Sequence, residues 1–147
     1  MIQGFDHVGL SVTNLDRAVE FYRNVMGFEL VIGGEFSEPR YEAIMNLKGA
    51  RGRVALLKAQ NMQVELFEFF NPAPKRMDSS RPVCDHGITH FCMQVDNIDQ
   101  AYETLKSAGV PFHCPPLQFA PGMRATYGRD PDGNVFELFE DSRVVEP

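Results

Sequence analysis

The sequence predicts an α+β fold made of two tandem βαβββ modules. One observation behind this prediction is the string Glu-Leu-Phe-Glu, which occurs twice, at residues 65–68 and 137–140. Each copy lies downstream of a strand-like segment that begins with a histidine, His7 or His90. After those strands, residues 14–20 and 97–103 match in Asn, Asp, Ala and Glu at a constant spacing of 83 residues. Self-similarity at a fixed spacing is the sequence signature of a repeated structural unit.

The first module is predicted to span about residues 5–70. Its opening strand contains His7 and alternates apolar and polar side chains, as a half-buried strand does. Asn14 and Asp16 are suitable caps for a helix that runs to about Met26, and Gly27 is suited to end it in the left-handed conformation. Residues 33–40 are turn-rich, and strands are predicted near residues 28–32, 41–47, 53–58 and 63–69.

The second module is predicted to span about residues 86–140 and to repeat this order. A helix at 98–108 ends at Gly109, and the run Asp130-Pro-Asp-Gly-Asn134 predicts a turn before the last strand. Pro72, Pro74 and Pro82 indicate a linker at about 71–85, so that residues 1–147 form one domain of two repeats. The strands of this module are predicted near residues 90–95, 110–113, 124–127 and 135–139.

Composition excludes several classes of partner. A net charge of −6 and a pI near 5.1 argue against binding to nucleic acid. No apolar run approaches the roughly 18 to 20 residues that a membrane span needs, and no signal peptide is evident at the amino terminus. The three cysteines lack metal-type spacing, which predicts free thiols and a reducing, cytoplasmic location.

The alternation of the strands predicts which side chains share a face. If the apolar residues of each strand face the helix, then His7 and Glu65 of the first module, and His90 and Glu137 of the second, face the opposite side. A single strand histidine is more often structural, and a single glutamate usually faces water. Because the pattern is duplicated and a carboxylate in an apolar strand is costly without a partner, we expect metal ligation by all four. Glu68 and Glu140 are expected to face solvent, and His113 to be non-catalytic.

Four segments carry a family resemblance: Asp6-His-Val-Gly-Leu10, Leu15-Asp-Arg-Ala-Val-Glu-Phe-Tyr22 with Gly27, His90 with Val95-Asp-Asn-Ile-Asp99, and Asp130-Pro-Asp-Gly-Asn-Val-Phe-Glu-Leu138. In these segments the sequence resembles the vicinal oxygen chelate superfamily, which includes glyoxalases, methylmalonyl-CoA epimerases, extradiol dioxygenases and antibiotic-resistance proteins. The resemblance implies a glyoxalase-like fold whose sheets curl around a metal-centred cavity, and a homodimer. It implies one divalent ion, Zn, Ni, Co, Mn or Fe, at His7, Glu65, His90 and Glu137.

The activity that this resemblance implies is that of a lyase or isomerase. The ion would act as a Lewis acid on a small substrate with two adjacent oxygens, and Glu137 or Glu65 would take a proton next to a carbonyl. Residues expected to contact the substrate are Phe67, Phe69, Arg124, Tyr127 and Phe139.

Two departures and two alternatives accompany this interpretation. Ser11 and Phe69 stand where glutathione-dependent glyoxalases carry Arg and Asn, and strand 53–58 lacks the acid of methylmalonyl-CoA epimerases. One alternative is an Fe(II) extradiol ring-cleaving dioxygenase that uses His7, His90 and Glu137, with Tyr127 nearby, although Glu65 would occupy a position that this reaction needs. The other alternative is a metal-free drug-binding resistance protein.

Overall fold

A computed structural model describes residues 1–143 of the chain. The chain divides into two compact units, Met1–Met77 and a second unit that begins at Asp78, so the boundary lies within the proline-containing segment 71–85. Across residues 1–143, no helix combines the length and the apolar character required to cross a bilayer.

The first unit contains four strands. Its first helix, α1 (Leu15–Glu20), continues into a π-helical segment, Phe21–Val25. Gly27, which follows this segment, has a φ of 78°. In chain order the elements are β1 (Val8–Ser11), α1 (Leu15–Glu20), β2 (Glu29–Phe36), α2 (Pro39–Met45), β3 (Arg51–Ala59) and β4 (Met62–Asn71).

The second unit has four strands and one helix. Its elements are β5 (Phe91–Gln94), α3 (Ile98–Ser107), β6 (Leu117–Ala120), β7 (Met123–Arg129) and β8 (Val135–Asp141).

Each unit forms one mixed, curled and unclosed sheet of four strands, and the two sheets have the same topology. The strand orders are β1-β4-β3-β2 and β5-β8-β7-β6. In each sheet the first strand runs parallel to the last strand of its unit, and the other neighbours are antiparallel. The predicted α+β class and the repeated mixed-sheet architecture are therefore confirmed.

One face of each sheet is covered by the helix of its own unit. In the first unit Val64 and Leu66 are fully buried along with Tyr22 of the helical segment. In the second unit Phe136 and Leu138 are buried, and Ile98 of α3 is fully buried as well. Since side chains alternate along a strand, Glu65 and Glu137 point to the opposite face of their sheets.

Two of the predicted strands are wrong. Residues 41–47 lie largely in helix α2: Pro39 stands in the first turn, where its missing N–H is tolerated, and Asn46 ends the helix at a φ of 51°. Residues 110–113 contribute only an isolated bridge between Phe112 and Gly128, and the edge strand β6 begins at Leu117 instead. The turn-rich stretch also contains strand, because β2 continues through Gly33 and Gly34 to Phe36.

The expectation that Glu68 and Glu140 face solvent is also wrong. Glu140 Oε2 accepts a hydrogen bond from the backbone N–H of Ile98 at 2.8 Å, and Glu68 Oε2 lies 3.4 Å from the backbone N of Leu15. Both carboxylates thus lie at a helix N-terminus, where free N–H groups and the helix dipole favour negative charge. Glu68 also accepts hydrogen bonds from Arg53. The second glutamate of each Glu-Leu-Phe-Glu string ties the helix to the sheet.

Candidate metal and substrate site

The first unit brings His7 and Glu65 together. The Nε2 atom of His7 lies 3.4 Å from Oε2 of Glu65, with 41% of the histidine side chain and 29% of the glutamate side chain exposed. His7 immediately precedes β1, and β1 pairs with β4 so that Gly9 stands opposite Glu65. The parallel pairing of two sequence-distant strands therefore creates this imidazole–carboxylate pair.

The second unit repeats the arrangement with His90 and Glu137. Here Nε2 lies 2.9 Å from Oε2, and the exposed fractions fall to 26% for the histidine and 15% for the glutamate. His90 precedes β5, and Cys92 stands opposite Glu137 in the pairing of β5 with β8. The two units thus contain the same imidazole–carboxylate pair. In the second unit the two atoms lie closer together and both side chains are more buried.

The hydrogen bonds at the other ring nitrogen orient both imidazoles. Nδ1 of His7 lies 2.8 Å from Oδ2 of Asp6, so Nδ1–H donates to that carboxylate. Nδ1 of His90 lies 2.9 Å from the hydroxyl oxygen of Thr89. The hydrogen bond to Asp6 raises the pKa of His7 above its usual value, and the negative charge of Glu65 adds to the rise.

This geometry suits a divalent cation. When Nδ1–H of a neutral His7 donates to Asp6, its Nε2 carries a lone pair that faces the carboxylate of Glu65, an arrangement that a shared proton or cation stabilises. Metal-ligating histidines commonly donate their other N–H to a carboxylate in this way. Imidazole and carboxylate donors together are suited to first-row divalent metals.

Each unit supplies one imidazole and one carboxylate of this kind. Within residues 1–143, no group of three or more His, Cys, Asp or Glu side chains is gathered as a set that could hold a metal ion.

Tyr127 and Cys92 border the second pair. Tyr127 stands opposite Glu137 in the pairing of β7 with β8, and its ring lies 4.7 Å from that of His90 at 34°. Burial raises the pKa of Tyr127, and the negative charge of Glu137 adds to the rise. Burial and the adjacent Glu137 raise the pKa of the Cys92 thiol to about 12, so Cys92 is a neutral thiol at physiological pH.

Aromatic side chains line the same face in the first unit. The predicted residues Phe67 and Phe69 stack on each other, with centroids 5.7 Å apart. Both contact the buried ring of Phe36, which in turn contacts Tyr41 of α2. Phe36 and Tyr41 were not predicted to belong to this aromatic cluster, because residue 36 was expected in a turn and residue 41 in a strand.

An apolar surface also borders the second unit's site. The predicted residue Phe139 lies 6.3 Å, centroid to centroid, from Phe119 of the edge strand β6. Phe119 and its neighbour Leu117 are exposed to 60% and 61%. Both were missed, because the edge strand was predicted at residues 110–113 and the pattern Leu117-Gln-Phe119 is too short to indicate a strand.

The structure places Arg124 on the helix face of its sheet, away from Glu137. Its guanidinium makes two hydrogen bonds of 2.7 Å to the carboxylate of Asp99 at the start of α3. Arg53 forms the equivalent pair with Asp16 in the first unit, at 3.1 Å. The repetition of this contact indicates a structural link between sheet and helix.

Comparison with known proteins gives one family across nearly the whole chain. The sequence profile of the Glyoxalase/Bleomycin resistance protein/Dioxygenase superfamily matches residues 4–138. The chain is 32% identical over 136 residues to the uncharacterized protein YaeR of Escherichia coli, and the aligned region covers 91% of this chain and 93% of YaeR. It is 27% identical over 140 residues to a probable lactoylglutathione lyase of Vibrio cholerae, covering 94% of this chain and 91% of that protein.

Solved structures share the fold. A glyoxalase family protein from Bacillus cereus superimposes with a TM-score of 0.87 at 21% identity, covering 96% of this chain and 95% of that one. The fosfomycin resistance protein FosX from Listeria monocytogenes superimposes with a TM-score of 0.64 at 20% identity, covering 95% of this chain and 94% of FosX. A mutant of FosX was solved in complex with Mn(II).

Proposed function

The chain belongs to the Glyoxalase/Bleomycin resistance protein/Dioxygenase superfamily, and from that premise we propose that it is a metal-dependent lyase or isomerase. Its reaction would be proton transfer next to a carbonyl of a small substrate with vicinal oxygens. The observation that carries the proposal is the duplicated pair, His7 with Glu65 and His90 with Glu137, in which Nε2 faces a carboxylate each time.

These four side chains would hold one divalent ion, with Zn, Ni, Co, Mn and Fe as the chemical candidates. Their two carboxylates offset the charge of a dication, and their donor types suit these metals. When bound, such an ion supplies Lewis-acid polarisation of a substrate oxygen.

Glu137 and Glu65 are the candidate bases. Each carboxylate lies on the face away from the helix and is only partly exposed, so an oxygen of either could accept a proton from a substrate C–H bond. Glu137 is the more enclosed of the two, with Tyr127 beside it in the sheet. The exclusion of water strengthens a carboxylate's interaction with a developing charge.

Aromatic side chains are the proposed substrate walls. Phe67 and Phe69 in the first unit and Phe139 in the second lie on the same sheet face as the glutamates. We propose a substrate with an apolar portion and do not propose glutathione, because Ser11 and Phe69 stand at the positions where the glutathione-dependent enzymes carry Arg and Asn. Arg124 has its partner in Asp99, so substrate contact by Arg124 would require that pair to open.

Metal analysis combined with isotope exchange tests the proposal. Purified protein should contain close to one equivalent of a divalent metal for each four-ligand set. A panel of α-hydroxy and α-keto thioesters in D₂O should reveal exchange of a substrate C–H. Glu137→Gln should abolish exchange and lower metal content, whereas Glu103→Gln on the exposed side of α3 should change neither. Metal-free protein with full activity, or unchanged exchange in Glu137→Gln and Glu65→Gln, would refute the proposal.

The origin of the four ligands is a separate question with a direct test, if the protein is the homodimer that we propose. His7→Ala and His90→Ala proteins are mixed under conditions that exchange subunits. Ligands drawn from two chains leave one intact site in the mixed dimer, so metal binding returns. Ligands drawn from one chain leave none, so it does not.

A second candidate function is supported by the contact between Tyr127 and His90. An Fe(II) extradiol dioxygenase would use His7, His90 and Glu137 with a nearby tyrosine, and Tyr127 lies ring to ring with His90. Oxygen uptake with catechols after anaerobic reconstitution with Fe(II) would identify this activity. Tight binding of an aromatic drug without turnover or metal would instead identify a resistance protein.

A further inference from the structure

We propose that Arg129 is a positioning residue for His90, holding this histidine in place through two separate sets of contacts. The inference deepens the proposed function, on which it rests, by assigning a supporting role to residues outside the ligand set. Arg129 ends strand β7, and all three nitrogens of its guanidinium donate hydrogen bonds. A guanidinium fixed at three points is suited to hold other groups in position.

The first set of contacts runs through aromatic rings. Nε of Arg129 donates to Nε2 of His113 at 3.1 Å. The ring of His113 lies 6.0 Å from that of Tyr127 at 68°, and its backbone N–H donates to the carbonyl of Tyr127 at 2.8 Å. The ring of Tyr127 also lies next to that of His90, with the two ring centroids 4.7 Å apart. Tyr127 is therefore held between two imidazole rings, and Arg129 fixes the outer one.

The second set of contacts runs through the backbone. Nη2 of Arg129 donates to the carbonyl of Arg81 at 2.8 Å, and Nη1 donates to the carbonyl of Gly133 at 3.0 Å. The guanidinium of Arg81 then donates to the carbonyl of Ile88 at 3.1 Å, two residues before His90. The segment that leads into His90 is thus tied to the turn after β7.

The first unit supports His7 differently, through the hydrogen bond from its Nδ1 to Asp6. Leu56 stands opposite Glu65 in the sheet, at the position that Tyr127 takes opposite Glu137, so no aromatic ring lies at that register position. The pair in the first unit is also longer and more exposed than the second. The contacts made by Arg129 and Tyr127 therefore occur in the unit where histidine and glutamate lie closer together, as expected if these contacts position His90.

The hydrogen bond to His113 has a consequence that can be observed without any metal. Because Nε2 of His113 accepts from Arg129, the proton of the neutral ring must lie on Nδ1. Nitrogen-15 NMR of the metal-free protein should therefore show His113 as the Nδ1–H tautomer. The resonances are assigned by substituting the four histidines one at a time.

The test compares Arg129→Gln with Lys106→Gln, which removes one positive charge from α3 of the same unit. In the metal-free protein, Arg129→Gln should shift the ring resonances of His90 and His113 and leave those of His7 unchanged. Lys106→Gln should shift none of them. If the His90 resonances do not move in Arg129→Gln, the inference is wrong, whether or not the protein binds metal.

Metal titration supplies the second readout. Loss of a residue that orients a ligand typically costs 10- to 100-fold in metal affinity, so Arg129→Gln should weaken binding at least about tenfold. The same substitution should have no added effect in a His90→Ala background but keep its effect in a His7→Ala background. A general loss of structure would weaken both backgrounds and would contradict the inference.

His113→Phe provides a second variant should Arg129→Gln fail to fold. It keeps a ring beside Tyr127 but removes the acceptor for Arg129, so a smaller shift of the His90 resonances is expected. An absence of any shift in this folded variant would overturn the contribution of the ring contacts. If wild-type protein binds no divalent metal while the NMR shifts occur, the proposed function fails and the positioning of His90 stands.

Discussion

Nε2 of His90 lies 2.9 Å from Oε2 of Glu137, and the ring of Tyr127 lies 4.7 Å from that of His90. The equivalent distance between His7 and Glu65 is 3.4 Å, and both side chains there are more exposed. The two copies of one module therefore present the same two donors in unequal surroundings. A preorganised pair requires less rearrangement when it binds a cation, so the two pairs are expected to contribute unequally.

The first prediction concerns this inequality. His90→Ala should lower the affinity for a divalent cation about tenfold more than His7→Ala does, a difference of about 1.4 kcal/mol. Isothermal titration with Zn²⁺ or Ni²⁺ on metal-stripped protein measures both. His86→Ala, which removes an exposed histidine of the same unit, should leave the affinity unchanged. Equal losses for His7→Ala and His90→Ala would contradict the prediction.

The second prediction concerns acid stability. The hydrogen bonds from Arg124 hold the pKa of Asp99 below its usual value of 3.8. A carboxyl group with a lowered pKa in the folded state contributes stability above its unfolded pKa and loses it as the pH falls through the folded pKa. The difference in Tm between wild type and Asp99→Asn should therefore be constant above about pH 5 and shrink below 3.8. A difference that instead grows on acidification would show that Arg124 does not stabilise the ionised carboxylate.

The third prediction concerns thiol reactivity. With a pKa of about 12, only roughly one part in ten thousand of Cys92 is thiolate at pH 8. Cys84 and Cys92 are both exposed, so the raised pKa of Cys92 should decide the order of reaction. Iodoacetamide should therefore label Cys84 well before Cys92 in metal-free protein, as followed by peptide mass spectrometry. Glu137→Gln removes the neighbouring charge and should speed the labelling of Cys92. Rapid labelling of Cys92 in wild type would exclude the neutral, Glu137-bound thiol.

The fourth prediction concerns the glutamates at the helix N-termini. Glu140→Ala removes the acceptor for the N–H of Ile98 and should cost about 1 kcal/mol in the free energy of unfolding. Glu68→Ala should cost more, because Arg53 also loses a partner that is 2.6 Å away. Urea titration measures both, with the exposed Glu103→Ala as the control. If Glu140→Ala has no larger effect than Glu103→Ala, Glu140 does not stabilise the helix.

The strands of the two sheets and the two imidazole–carboxylate pairs could largely be predicted from local sequence patterns. Alternation in a half-buried strand assigns each side chain to one face, and the burial of Val64, Leu66, Phe136 and Leu138 agrees with the predicted assignment. The duplication then specified which polar residues recur at equivalent positions. A pattern with period two and a repeat were sufficient to place Glu65 and Glu137 on the histidine face.

The elements that were missed depend on contacts that no local pattern encodes. The edge strand β6 is short and largely exposed, so its Leu117 and Phe119 lack the alternation in burial that marks a strand. Helix α2 has no fully buried residue, and its tyrosine, Tyr41, packs on Phe36 from the preceding strand. The contact of Arg129 with His113 likewise joins residues 16 positions apart, with nothing in the sequence to connect them.

The string Glu-Leu-Phe-Glu places its two carboxylates on opposite sides of one strand, three residues apart. Glu137 faces the imidazole of His90, whereas Glu140 accepts from the start of α3. A shift of the strand by a single residue would reverse the orientation of every side chain it carries. The hydrogen bond between Glu140 and α3 therefore fixes the strand register in which Glu137 faces His90. One short peptide thus holds the helix on the sheet and also orients the carboxylate donor.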